Sequence, residues 1–224
     1  MQGLLLLACA RILGEPVTLT GASRTDAGVH ALRQVASLTT ASSLVPAKVA
    51  RGLNALLPDT VRVLEAREAA RGFNARRSAL GKRYLYVIDR GSVAHPLLRR
   101  VAWHPRFVLD IDAMRSALAA LRGEHDFSAF CAAPGRGRTP TCTVRSARLV
   151  SRGDRLGVLV SADSFLHHMV RNIVGSLVEV GRGARPPSWM SELLAGRDRT
   201  RSGPTAPPHG LVLLRVLYGE TAHG

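Results

Sequence analysis

Residues 21–31 read GASRTDAGVHA, a run of small residues between two strand-like stretches, PVTLT at 16–20 and the alternating residues 34–39. Asp26 sits in the tightest part of this loop, followed by Ala27 and Gly28. Small neighbours let a flat substrate come close to the carboxylate. Arg24, two residues upstream, is near enough to hold Asp26 ionised and to reach a phosphate. An ionised carboxylate in a confined site is a nucleophile or a base. The commoner role of an aspartate beside glycine is to bond its own backbone in a turn. On residue types alone that plainer reading is favoured.

Outward from the loop, helix and strand patterns alternate irregularly. Residues 3–13 predict a helix ending at Gly14, and 46–57 a second helix opened by proline with apolar residues at 49, 53, 56 and 57. Strands are expected at 61–65 and 82–88 (KRYLYVI). Residues 112–121 predict a helix, with Asp110 and Asp112 before or at its start as caps. Residues 143–150 and 156–161 predict a hairpin. Residues 165–180 predict a long helix, 188–194 a shorter one, and 211–217 (LVLLRVL) a closing strand. Loops rich in glycine, proline and arginine are expected at 134–139 and 181–187. The mixture lacks strict strand–helix–strand alternation, so the class is α+β with an antiparallel or mixed sheet. Three domain segments follow: an N-terminal half at 1–90, a connector at 91–105 and a C-terminal half at 106–224.

Charge narrows the partners. The chain has 224 residues with 31 Lys+Arg against 16 Asp+Glu, a formal charge of +15. Lys48 and Lys82 are the only lysines, so arginine, with its planar fork for phosphate, supplies nearly all of the positive charge. Arg71, Arg76, Arg77, Lys82 and Arg83 lie in a stretch without an acid, as do Arg136, Arg138, Arg145, Arg148 and Arg152. Such stretches suit a polyanion, and equally suit solvated arginine-rich faces. Three cysteines are too few for a disulfide framework. No apolar run is long enough for a membrane span, and the leucine-rich start lacks the basic residues of a signal peptide. A cytoplasmic protein without membrane association is expected.

The loop motif and four further blocks resemble the tRNA pseudouridine synthase I family. GASRTDAGVHA is similar to its signature, and GFNARRSALGKRYLY at 72–86 to its FxAR…KxYxY stretch. GEHDFSAF at 123–130, SFLHHMVRNIVGSLVEVG at 164–181 and TAPPHGLVL at 205–213 match its later blocks in the same order. The resemblance covers nearly the whole chain. It implies a pseudouridine synthase fold of two similar α/β halves, sharing a mixed, mostly antiparallel sheet around a basic central cleft. It also implies isomerisation of uridine to pseudouridine at positions 38–40 of the tRNA anticodon stem-loop, in a homodimer. By motif match Asp26 is the nucleophile and Tyr84 stacks on the target uracil. Arg171 pairs with Asp26, Arg24 helps to move the nucleotide out of the stem, and Leu211 lines the uracil pocket.

The residues themselves agree with several of these roles. In a strand Lys82, Tyr84 and Tyr86 share one face, placing aromatics beside a cation, although an ordinary cross-strand pair suits Tyr86 better. Arg171 lies among Met169, Val170, Ile173 and Val174, and a buried arginine needs an anion such as Asp26. No cofactor or metal is expected. His167 and His168, with His125, Cys131 and Cys142, lack a metal-binding spacing, and adjacent histidines on a helix point apart. His30 either lines the site or packs. The other class of reading is a non-catalytic basic RNA-binding protein, against which the intact set of Asp26, Tyr84 and Arg171 argues. Relative to the family, the chain begins at a VQGxLxxAL-like helix (Met1-Gln2-Gly3-Leu4). A preceding strand with a YDGTxFxGWQ-like segment is therefore expected to be missing.

Overall fold

The computed structural model describes residues 1–132 and 139–219. Most of the expected loop at 134–139, with Arg136 and Arg138, lies outside the described residues. The described residues pack as two compact units: Met1–Arg24 and Gln34–Leu80 with Tyr218 and Gly219, and Thr25–Arg33 with the described part of 81–217.

In the first unit, α1 (Gln2–Leu13) stops where Gly14 adopts a left-handed φ of 74° and returns its N–H to Ala10 O at 3.0 Å. Helix α2 (Pro46–Leu56) opens on proline, as expected. Strand β1 (Leu19–Gly21) pairs antiparallel with β3 (Ala36–Leu38), and β2 (His30–Ala31), which lies between them in sequence, belongs to the other unit. The apolar face is small: Ala8, Cys9, Leu13, Leu19, Leu53 and Leu57 form its buried cluster.

The strand expected at 61–65 is absent. The Asn54 side chain takes over the backbone of Val63, accepting from its N–H at 2.7 Å and donating to its carbonyl at 2.8 Å. This extended stretch thus satisfies its polar groups through an amide side chain and needs no partner strand. The Tyr218 hydroxyl donates to Ala75 O at 2.7 Å and its ring meets Phe73 at 5.2 Å; burial pushes its phenol up to about 12.

The second unit is built on a six-stranded mixed sheet. Its strands are β2, β4 (Gly81–Asp89), β5 (Gly123–Asp126), β6 (Thr141–Arg152), β7 (Arg155–Ala162) and β8 (Leu211–Leu217), in the order β2-β8-β4-β7-β6-β5. Among the described strands, β2 runs parallel to its neighbour β8, and the β4–β7, β4–β8, β5–β6 and β6–β7 pairings are antiparallel. The expected hairpin is β6–β7. Strand β5 (GEHD) escaped the sequence reading because it is short and polar, lying at one edge of the sheet.

Helices α3 (Ile111–Ala119), α4 (Met169–Gly181) and α5 (Trp189–Gly196) belong to this unit, with α3 against β6 and α4 against β4. Tyr86, Ile88, Leu156, Met114, Leu118, Ile173 and Leu177 are fully buried there, each worth about 1.5–3 kcal/mol of apolar burial for the aliphatic members. Asp110 caps α3, accepting from Asp112 N at 3.0 Å and Ala113 N at 2.9 Å.

The stretch 91–105 packs alongside β4 within this unit. Trp103 N donates to Val87 O at 3.0 Å, and Asp89 N to Trp103 O at 2.8 Å. Helix α4 starts four residues later than the periodicity of 165–180 suggests. His168, at its N-cap, has a left-handed φ of 60° that a helix cannot contain.

Candidate active site

Asp26 opens a turn in which Val29 N donates to Asp26 O at 3.1 Å. Gly28 occupies the third position with φ 83°, and a Cβ there would come within 3.1 Å of Pro208 Cγ. Glycine is therefore favoured by the backbone conformation, and a Cβ would also press the Pro208 ring aside by a few tenths of an ångström. The turn leads directly into β2, whose His30 and Ala31 pair with Val212 and Leu213 of β8. The loop is thus pinned to the end of β8 that begins with Leu211. Asp26 serves the turn through its main-chain carbonyl, and its carboxylate reaches across 145 residues of sequence to Arg171.

The pairing is close. Arg171 Nη1 lies 2.8 Å from Asp26 Oδ2, and the side chains are 12% and 29% exposed. A guanidinium so placed in an apolar helix is costly unless paired and hydrogen-bonded. Its second link is Nε to Ala206 O at 2.8 Å, and Arg171 O in turn accepts from Ala206 N at 3.1 Å. The segment carrying Ala206 is itself fixed to α4. Arg199 Nη2 donates to Asn172 Oδ1 at 3.1 Å and Thr205 Oγ1 at 3.0 Å, while Thr205 Oγ1 donates to Asn172 Oδ1 at 2.7 Å. Asn172 Nδ2 donates to Phe130 O at 2.8 Å, and Gly203 N to Ser176 Oγ at 2.9 Å. A Cβ on Gly175 would sit 1.7 Å from Pro204 O, so α4 and this segment touch backbone to backbone. This bonded support shares its members, which favours rigidity.

Two histidines complete the surroundings of Asp26, contrary to the expectation that they diverge. They precede α4 rather than sitting within it, His168 is left-handed, and both rings lie beside the carboxylate. His168 Nε2 is 3.1 Å from Asp26 Oδ2, and His167 Nε2 is 3.8 Å from Oδ1. The rings lie 3.9 Å apart at 33°. Burial pulls the proton affinity of His168 below the ordinary imidazole range; Asp26 works against this, and His167, Arg171 and Arg199 work with it. Donor atoms of Asp26, His167 and His168 all fall within 4.8 Å of one another, close enough to share a cation. Arg171 already supplies a positive charge at that carboxylate.

The remaining candidates have the following places. Tyr84 is buried on β4, edge-on to Phe165 with ring centroids 4.8 Å apart. Leu211 is buried at the start of β8 and pairs with Tyr86, the next strand residue on the face of Tyr84. Tyr86 is a packing residue: its hydroxyl donates to Pro207 O at 2.7 Å and its ring lies edge-on to Trp103. Arg24 is exposed in the first unit, and its carbonyl accepts from Ser23 Oγ. His30 bonds Arg100 O at 2.7 Å through Nε2. The sequence reading weighed His167 and His168 only as metal ligands and set them aside, and it did not single out Arg199; the histidine pair directly before MVRN was the available signal.

A family model described as tRNA pseudouridine synthase matches residues 117–219. The tRNA pseudouridine synthase A of Myxococcus xanthus is 45% identical over 221 residues, covering 98% of this chain and 83% of the relative. That of Thiobacillus denitrificans is 46% identical over 212 residues, covering 94% and 81%. A Shewanella protein of the same name (strain MR-4) is 43% identical over 220 residues, covering 98% and 84%.

Proposed function

The chain belongs to the tRNA pseudouridine synthase family, and from that membership we propose that it isomerises uridine to pseudouridine at positions 38–40 of the tRNA anticodon stem-loop. In this isomerisation the ribose C1′ bond moves from N1 to C5 of uracil, and a proton passes from C5 to N1. Atoms and electrons balance within the nucleotide, so the reaction itself calls for no redox group.

Asp26 is the nucleophile, and Arg171 pairs with it and keeps it aimed. Tyr84 stacks on the uracil, Leu211 lines the pocket and Arg24 helps to extract the nucleotide, whose reacting atoms are shielded in the stem. The excess of arginine supplies the phosphate contacts, and affinity for tRNA follows from them. The N-terminal part of the chain (1–90) supplies Asp26 and Tyr84, and the part after the 91–105 segment supplies Arg171 and Leu211. The working form is a cytoplasmic homodimer in which one protomer's basic surface holds tRNA while the other reacts.

One observation carries this reading: the 2.8 Å contact between Arg171 and Asp26. A non-catalytic RNA-binding protein would have no use for a carboxylate held so deliberately. Incubation of the purified protein with a tRNA transcript, followed by pseudouridine mapping at single-nucleotide resolution, tests it. Pseudouridine at 38–40 is expected. Product only at other positions would overturn the target assignment, and no product would overturn the activity.

A further inference from the structure

The two oxygens of Asp26 are not equivalent. Oδ2 faces two nitrogen donors, Arg171 Nη1 at 2.8 Å and His168 Nε2 at 3.1 Å. Oδ1 has His167 Nε2 at 3.8 Å, beyond hydrogen-bond reach. We infer that Asp26 reacts through Oδ1, and that His168 is a positioning residue which, beside Arg171, holds Oδ2 and so decides which oxygen meets the substrate. This rests on the function proposed above.

Three features support the assignment. An oxygen that accepts from Arg171 Nη1 and has His168 Nε2 only 3.1 Å away is poorly placed to attack, and the rotation of a carboxylate about its Cβ–Cγ bond would otherwise interchange the two. His168 sits 3.1 Å from Oδ2 with a left-handed backbone, φ 60°. That conformation is uncommon outside glycine and, where it is found, often marks a functional site. The ring also works as a neutral donor. The groups facing it are Asp26, His167, Arg171 and Arg199, and burial with three of these disfavours its charged form. A neutral imidazole with its hydrogen on Nε2 orients the carboxylate without adding a second cation next to Arg171. A second proton, on Nδ1, would make it imidazolium and weaken Asp26 as a nucleophile. His167 is half exposed beside Oδ1, so that oxygen is not enclosed by the donors that hold Oδ2.

The test compares wild type, His168→Ala and His168→Gln in the full chain, with tRNA as substrate and over a range of pH. His168→Ala should lower kcat roughly 10- to 100-fold, the scale of one lost hydrogen bond to a charged group, with KM unchanged. His168→Gln, whose amide N–H can replace the donor, should recover much of the rate. Wild-type kcat should fall on acidification as His168 takes up its second proton, and His168→Gln should reduce that fall. A nitrogen-15 NMR spectrum of the tRNA-free protein should show His168 as the neutral Nε2–H tautomer, and Asp26→Asn should lower its proton affinity further. An unaltered kcat and acid limb in His168→Ala would overturn the inference. So would a rise confined to KM, or an Nδ1–H tautomer. A wild-type protein inactive on tRNA would overturn the functional reading instead, and the tautomer would still decide whether His168 can donate to Asp26.

Discussion

Helices α1 and α4 are both apolar, yet they are held in different ways. Helix α1 leaves Leu7 74% exposed and buries only Ala8, Cys9 and Leu13, whereas α4 buries eleven of its thirteen residues. The first rests on a thin cluster of apolar side chains in its unit. The second is gripped by apolar contacts, by the hydrogen bonds of Asn172, Ser176 and Arg199, and by backbone contact at Gly175. Hydrophobic burial alone tolerates small shifts, but an ion pair has to be placed to a fraction of an ångström. The charge that meets Asp26 projects from the more deeply buried of these two helices.

The largest effect should come from a single methyl group. Gly175→Ala would set a Cβ 1.7 Å from Pro204 O, where neither backbone can yield, and should cost about 3 kcal/mol or more in denaturant unfolding. Gly3→Ala in α1 meets nothing within 4 Å and should stabilise by up to about 1 kcal/mol through helix propensity. Equal responses would erase the contrast between the two helices.

Arg171→Lys should come next. Lysine keeps a positive charge but cannot both reach Asp26 and donate from Nε to Ala206 O. A loss of roughly 10- to 100-fold in kcat, with the unfolding midpoint nearly kept, is expected from steady-state assays on tRNA.

Arg76 and Arg77, in the first unit, are exposed beside a turn whose Asn74 Oδ1 accepts both backbone N–H groups at 3.0 Å. Replacing both by alanine should flatten the salt dependence of tRNA affinity by about 2 in log–log slope and leave kcat alone. The smallest effect concerns pH. His168 binds its proton less readily in the folded chain, so just below its ordinary value the unfolded chain holds more protons and stability falls as pH falls. His168→Gln should reduce that fall in thermal unfolding measured across mildly acidic pH.

The same contrast explains what was legible in the sequence. Strands β4 and β8, the β6–β7 hairpin and helix α2 announce themselves because one face of each must be apolar in the period of its element. Residues 61–65 show such a pattern too, yet the partner of Val63 is the amide of Asn54, and no pattern within 61–65 announces a side chain. Strand β5 is polar and β2 only two residues long, so pairing with neighbours defines both. At the site, the burial of Arg171 among apolar residues pointed to an anion. The histidines did not declare themselves, because the periodicity that places them on a helix is interrupted by one left-handed residue.

The central claim is that the charge of Asp26, held by Arg171, performs the chemistry. Asp26→Asn preserves shape and removes only that charge. The direct measurement is pseudouridine formation in tRNA by this variant, alongside its binding of the same tRNA. Binding should persist, because phosphate contacts carry it, and no pseudouridine should form. Turnover by Asp26→Asn at a rate near that of the wild type would contradict the account.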